Sequence, residues 1–428
     1  MHPKALLDTA AELTGQVLRF DHPADAVLAR FFKEHRNLGP RERATLSDTV
    51  FKVMRNKLLY DHLSPSGSGP KERRMAILGF AAPRDFLNGA LTPPEVQWLD
   101  ACEAVDPAAL LDRHRHNLPQ WLADALQAQV GSGFWPLVQA LNTPAPLDLR
   151  ANPQHTKRDA LVQALQADGV ACAPTPYVPG GLRVQGKPAL TQLAAFKAGH
   201  FEIQDEGSQL LALLVDAKRG EMVADFCAGA GGKTLALGAA MRNSGRLYAF
   251  DTSAHRLEGL KPRLARSGLS NVHPVAIAHE RDERIKRLAG KLDRVLVDAP
   301  CSGLGTLRRH PDLKWRNTET SIADKAQLQA AILHSAARLL KPGGRLVYAT
   351  CSLLPQENEA IAEAFGATHP DFKPVNVAAE LERLKAVDSP SAAAKLCSGA
   401  ADAPGQYLRL WPHLHGTDGF FAAVWERA

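Results

Sequence analysis

From Gly220 onward, short β-rich segments alternate with stretches of helical periodicity, and this alternation constrains the fold more than any other feature of the chain. Met222 to Phe226, Arg246 to Phe250, Val272 to Ala278, Leu292 to Val297 and Gly344 to Ala349 are each rich in branched or aromatic residues. Strands separated by helices predict a mostly parallel sheet covered on both faces. Such sheets hold their ligands just beyond the carboxyl ends of the strands, so the residues that follow each segment are the first candidates for chemistry.

The rest of the 428 residues divides by texture. Residues 1–135 read as helices only: Val27, Leu28, Phe31 and Phe32 share one apolar face, and Leu46, Val50, Val53 and Met54 share another. Leu38-Gly39-Pro40 predicts a helix stop followed by a proline in the next first turn. In residues 144–205, Pro146 to Ala151 and Gly181 to Val184 read as strands, with a helix over Lys157 to Ala167 opened by Thr156; a small α/β subdomain is expected. Residues 206–428 form the alternating domain, in which 384 to 405, rich in Ala, Ser and Pro, read as an insertion loop before final strands at Tyr407 to Trp411 and Phe420 to Trp425.

The net charge of +6 permits a polyanionic partner but does not establish one. The excess of Lys and Arg crowds the first third, where solvated helix faces and an electrostatic footprint for nucleic acid remain open readings. Six scattered cysteines contain no C-x-x-C pair, which supports neither a zinc ribbon nor a disulfide framework; no metal is expected. The N-terminus lacks the pattern of a signal peptide and no run is long and apolar enough for a membrane span, so a cytoplasmic protein with reduced thiols and no membrane partner is expected.

Asp225-Phe-Cys-Ala-Gly-Ala-Gly-Gly-Lys-Thr234 follows the first strand of the alternating domain and opens a helix, a place where glycines let a ligand approach the backbone. A P-loop requires glycine where Cys227 stands, and a dinucleotide fingerprint starting at Gly229 requires glycine at Thr234, so neither fits. The second strand ends at Asp251, placed to accept the hydroxyls of an adenosine ribose; the competing reading is a helix N-cap. A lysine in the first turn of a helix is electrostatically unfavourable, which suggests that Lys233 has a charged or polar partner.

Two cysteines directly follow strands: Cys301 in Asp298-Ala-Pro-Cys-Ser-Gly303 and Cys351 in Ala349-Thr-Cys-Ser352. A lone cysteine is most often a small buried hydrophobe, but two at one sheet edge predict thiols that meet one substrate. Together with the glycine loop, the segment from Asp298 to Arg316, the C-terminal Gly416-Thr-Asp-Gly-Phe-Phe421 and Gln204-Asp-Glu-Gly-Ser208, these motifs resemble those of the Sun/Fmu (RsmB-type) RNA cytosine-5 methyltransferases, from about residue 145 to the end. Leu38 to Arg43 and Val50 to Arg55 resemble, more weakly, the NusB-like RNA-binding domain that precedes the bacterial ribosomal members.

The resemblance implies a class I methyltransferase domain, Rossmann-like with a mostly parallel seven-stranded sheet, preceded by the small α/β subdomain and an all-α NusB-like domain. It implies S-adenosylmethionine as cofactor, held by Cys227, Ala228, Gly229, Ala230, Gly231, Gly232, Lys233, Asp251, His279 and Asp298. It implies that Cys351 adds to C6 of a cytosine, that Cys301 assists product release, that Asp298 binds the base edge and that Lys233 belongs to the catalytic set. Arg308, Arg309 and Lys314 are expected to hold RNA backbone, and Cys227 to pack without a catalytic role. The implied partner is RNA, most simply small-subunit ribosomal RNA, and the enzyme is expected to be a monomer.

Two departures stand out. Gly229 and Ala230 replace the family's Ala-Pro, and the acid that usually ends the third strand is replaced by His279, with Asp282 three residues on. Among rival readings, a DNA cytosine-5 methyltransferase has no need of the Thr-Cys-Ser cysteine. An RNA-binding assembly factor with vestigial activity is disfavoured by the intact Cys351, Cys301, Asp298 and Lys233, and a dehydrogenase by the glycine count. A transfer-RNA substrate is the alternative to ribosomal RNA.

Overall fold

The computed structural model describes residues 1–387 and 389–428, arranged as two compact units. The first comprises Met1–Pro144 together with Thr306–Glu319, and the second Ala145–Gly305 with Thr320–Ala428.

The first unit is helical. Leu46, Val50, Val53 and Met54 lie on the helix Pro40–Arg55 and are almost completely buried; Val27, Leu28 and Phe31 are buried on Ala24–Glu34, with Phe32 packed against the same core. Gly39 caps the N-terminus of Pro40–Arg55 and Pro40 occupies its first turn. The segment 306–319 is part of this unit. Trp315 donates from its indole nitrogen to the carbonyl of Met54 at 2.9 Å, and the Arg55 guanidinium donates to the carbonyl of Arg308 at 2.8 Å.

The second unit begins with strands β1 (Leu147–Ala151), β2 (Cys172–Pro174), β3 (Gly181–Val184) and β4 (Phe201–Ile203), paired antiparallel in the order β2-β3-β1-β4. The helix Arg158–Ala167 joins β1 to β2 and Ala194–Lys197 precedes β4, a βαββαβ arrangement. Leu149, Leu182, Val184 and Phe201 form its core. The opposite face carries Asp148, Arg150, Arg183 and Glu202, as the two-residue period of a strand requires. The N-cap of Arg158–Ala167 is Lys157, without a side-chain cap bond, rather than Thr156.

The main sheet contains β5 (Met222–Asp225), β6 (Arg246–Asp251), β7 (Val272–Ala276), β8 (Leu292–Asp298), β9 (Leu340–Thr350), β10 (Phe372–Pro374), β11 (Cys397–Ser398), β12 (Tyr407–Leu410) and β13 (Phe420–Arg427). Their order is β11-β12-β13-β9-β8-β5-β6-β7, with β10 paired to β13. β5 to β9 run parallel and β13 pairs antiparallel with β9. Among the described residues this makes nine strands rather than seven, because β10 and β11 extend the β7-to-β12 core. The 384–405 stretch is not a plain loop: it contains the helix Pro390–Lys395, started by the Ser389 side chain, and β11. The order reverses at β5, so a crevice opens beyond the ends of β6, β5, β8 and β9, where Asp251, Asp225, Asp298 and Cys351 stand side by side.

Candidate active site

Cys301 and Cys351 reach the crevice from neighbouring parallel strands, and their Sγ atoms are 3.3 Å apart. The contact with Cys351, reinforced by burial, pushes the Cys301 thiol well above the ordinary cysteine value. Two adjacent thiols cannot easily carry two negative charges, so Cys301 is the member held protonated. The loop after Cys301 folds back through Gly305, whose amide donates to the carbonyl of Cys351 at 2.8 Å and whose carbonyl accepts from Gly419 at 2.9 Å. A Cβ at Gly305 would stand 2.1 Å from the Gly419 carbonyl oxygen, so this close approach requires glycine.

In the first turn of the helix Gly232–Ala240, Lys233 Nζ donates to Oδ2 of Asp298, the last residue of β8, at 2.7 Å and lies 5.8 Å from the centroid of the Phe420 ring. Burial opposes the ammonium charge, but Asp298 outweighs it, and the lysine pKa lies above its ordinary value. Lys233 therefore stays a cation beside a carboxylate, within the field of Cys351. Cys227 packs against the core at the end of β5 and its thiol is pushed far up by burial, consistent with a packing residue.

The glycine loop is shaped by Gly229 and Gly231, at φ +56° and +83°, a conformation open to glycine and costly for other residues. A Cβ at Gly231 would lie 2.1 Å from Leu260 Cδ1. Asp251 is not the cap of the helix that follows β6: Ser253 caps it, while Asp251 Oδ2 accepts the Gly229 amide at 2.8 Å and Oδ1 accepts the Ser253 amide at 2.7 Å. Sequence reasoning missed Arg263, which donates to the Ala230 carbonyl at 2.7 Å and is itself held by Glu202 on β4. It also missed Asp225, buried at the end of β5. Its Oδ2 accepts from Thr234 at 2.7 Å, while its buried Oδ1 has no hydrogen-bond partner among the described residues. Burial raises its pKa to about 7.

A buried carboxylate oxygen without a donor, beside a glycine loop at a helix N-terminus, calls for a cationic donor group. The ammonium of an amino-acid moiety would meet that need, and the carboxylate of Asp251 stands at the neighbouring strand end, so the residues present fit S-adenosylmethionine.

Beyond β7, His279 is exposed and accepts the Arg281 amide at its Nδ1. Asp282 accepts the Ala278 and Arg284 amides, closing the turn. Lys314, expected on an RNA-facing loop, is instead buried in the helical unit and donates to the Arg55 carbonyl at 2.9 Å and to Asn142 Oδ1 at 3.2 Å. Burial drives its pKa below the ordinary lysine value, and a side chain enclosed in this way does not face a phosphate in solution. Among the described residues no group of three or more His, Cys, Asp or Glu side chains is placed to hold a metal ion, and no helix is long and apolar enough to cross a membrane.

The doubly wound sheet with this crevice defines a class I methyltransferase. The 16S rRNA methyltransferase RsmB/F family matches residues 212–426, and the ferredoxin-like domain of RsmF/B-like methyltransferases matches residues 118–191. The probable ribosomal RNA small subunit methyltransferase B of Synechocystis is 30% identical over 96% of each chain. Of solved structures, one designated PH0851 superimposes over 100% of this chain and 99% of its own with a TM-score of 0.79 and 26% identity. A methyltransferase homolog from Pyrococcus horikoshii covers 76% of this chain and 100% of its own, with a TM-score of 0.63 and 29% identity. The chain belongs to the RsmB/F family of 16S rRNA methyltransferases. The methyl donor of this class of RNA methyltransferases is S-adenosylmethionine.

Proposed function

We propose that this protein methylates C5 of a cytidine in small-subunit ribosomal RNA through a transient bond between Cys351 and C6. The observation that carries the reading is the pair of sulfur atoms 3.3 Å apart at the sheet edge, beside Lys233 and Asp298.

C5 of cytosine is a poor nucleophile. Attack of the Cys351 thiolate at C6 forms an S–C6 bond and moves the C5–C6 electron pair onto C5, which then takes up the methyl group. The cofactor supplies that group as a sulfonium methyl. Asp298 faces the N3 and amino edge of the base, where hydrogen bonding strengthens as that edge gains a proton, and Lys233 holds Asp298 in place.

Release requires a base to take the C5 proton, so that the pair re-forms the double bond and expels Cys351. Cys301 is suited to this late role. The contact with the Cys351 sulfur is the largest cause that raises the Cys301 pKa; once that sulfur is bonded to C6 the cause is weakened and Cys301 ionises more readily. The target base must be unpaired or extruded, because C6 is inaccessible within a stack. Gly229 to Gly232, Lys233, Asp251 and Asp225 hold the donor, with the turn at His279 on its adenine side. The free thiols at the centre suit a reducing cytoplasm, and a monomer is proposed.

The test is to incubate the protein with S-adenosylmethionine and small-subunit ribosomal RNA, digest to nucleosides and identify the product by mass spectrometry. 5-Methylcytidine is expected; a base methylated at nitrogen would refute the proposal.

A further inference from the structure

The two cysteine loops are joined by a carboxylate that plays no part in the chemistry above. Glu357 is completely buried in the short 3-10 turn after β9. Its Oε1 accepts the Ser302 amide at 2.8 Å and the Gln329 side-chain amide at 3.0 Å. Its Oε2 accepts the Ser302 hydroxyl at 2.5 Å and the Ser352 hydroxyl at 2.5 Å. Ser302 directly follows Cys301, and Ser352 directly follows Cys351. Gln329 also donates to the Pro300 carbonyl at 3.0 Å, on the other side of Cys301.

Carboxylate oxygens accept, and the two here are matched to four donors on three segments that lie 5, 28 and 55 residues from Glu357 in sequence. The turn itself is fixed: the Tyr348 hydroxyl donates to the Glu357 carbonyl at 2.6 Å, and Asn358 donates from Nδ2 to the Ser352 carbonyl at 3.1 Å. Such multiply donated, buried carboxylates are rigid and costly to disturb, because removing the acceptor strands every donor.

We propose that Glu357 is a positioning residue of the two-cysteine centre, holding the Cys301 and Cys351 loops at the separation that lets both sulfurs serve one pyrimidine. This rests on the assignment of those cysteines to the reaction. It goes beyond that assignment in naming the group that sets their distance. Reaction rates at such centres fall about a hundredfold for displacements near 1 Å.

Two readouts separate the clamp from the chemistry. The first is the rate at which diamide converts Cys301 and Cys351 to a disulfide, followed by peptide mapping; each thiol gives up a hydrogen to the N=N bond of diamide, which becomes the hydrazine, and the S–S bond forms. This rate reports sulfur proximity whether or not the protein is a methyltransferase. The second is single-turnover methyl transfer, with S-adenosylhomocysteine affinity measured alongside. Glu357→Gln, which sets an amide donor against the donors it must accept, should slow disulfide formation at least tenfold and methyl transfer about a hundredfold. Affinity for S-adenosylhomocysteine should stay within threefold of the parent, since the glycine loop is untouched. Ser302→Ala and Ser352→Ala, milder changes that keep the fold if Glu357→Gln does not, should each slow disulfide formation severalfold.

Unchanged disulfide rates in the serine variants and in folded Glu357→Gln would overturn the inference, whatever the activity. Slow disulfide formation in an enzyme whose methyl transfer proves independent of both cysteines would leave the clamp standing and overturn the assignment it serves.

Discussion

Asp225 illustrates how a single side chain ties ligand binding to pH. Its folded-state pKa of about 7 lies above the ordinary 3.8, so between those values the folded protein holds a proton that the unfolded chain has released. Its contribution to stability without ligand is therefore greatest below about pH 4 and falls as pH rises to about 7. A cationic ligand group demands the ionised form and reverses the trend. Affinity for S-adenosylhomocysteine, measured by calorimetry, should rise as pH passes through 7, and Asp225→Asn should weaken binding about tenfold or more and flatten that dependence. An unchanged pH profile in the variant would assign the effect elsewhere. Lys314 makes a different point at this scale. Removing its Nζ strands the Arg55 carbonyl, so Lys314→Ala should cost about 1–3 kcal/mol in denaturant unfolding. The salt dependence of RNA binding should not change in this variant, whereas a lost phosphate contact would reduce the slope by about 1.

At the scale of elements, the parallel strands were legible because each is an apolar run bounded by turn residues, and their register put Asp225, Asp251, Asp298 and Cys351 at one edge, as alternation requires. β2, β4, β10 and β11 were not legible: two or three residues are too few to display a period of two. Arg308, Arg309 and Lys314 read as cations for an RNA backbone, because charge alone does not reveal that a lysine is buried against a backbone carbonyl. Glu357 was invisible for another reason, since no spacing rule connects it to Ser302 across 55 residues. Gly305 lies within the segment from Asp298 to Arg316, but its requirement emerges only from the approach of two carbonyls. Gly305→Ala should reduce methyl transfer by about a hundredfold while S-adenosylhomocysteine still binds, because the clash falls on the Cys351 and Gly419 carbonyls and spares the glycine loop. Wild-type turnover in that variant would show that the turn yields without moving the cysteines.

For the molecule as a whole, the helical unit, the four-stranded βαββαβ subdomain and the doubly wound sheet each have a core of their own. The division of labour follows from chemistry: methyl transfer needs a fixed crevice, which the parallel sheet builds at its strand ends, while RNA is a polyanion that a chain of net charge +6 attracts over a wider surface. The central claim is that two thiols act in sequence on one base, the first to form a bond and the second to break it. The most direct measurement is a denaturing gel of the protein incubated with S-adenosylmethionine and small-subunit ribosomal RNA. Cys301→Ala should accumulate a covalent protein–RNA adduct because release is blocked, and Cys351→Ala should form no adduct and transfer no methyl groups; identical behaviour of the two variants would contradict the account.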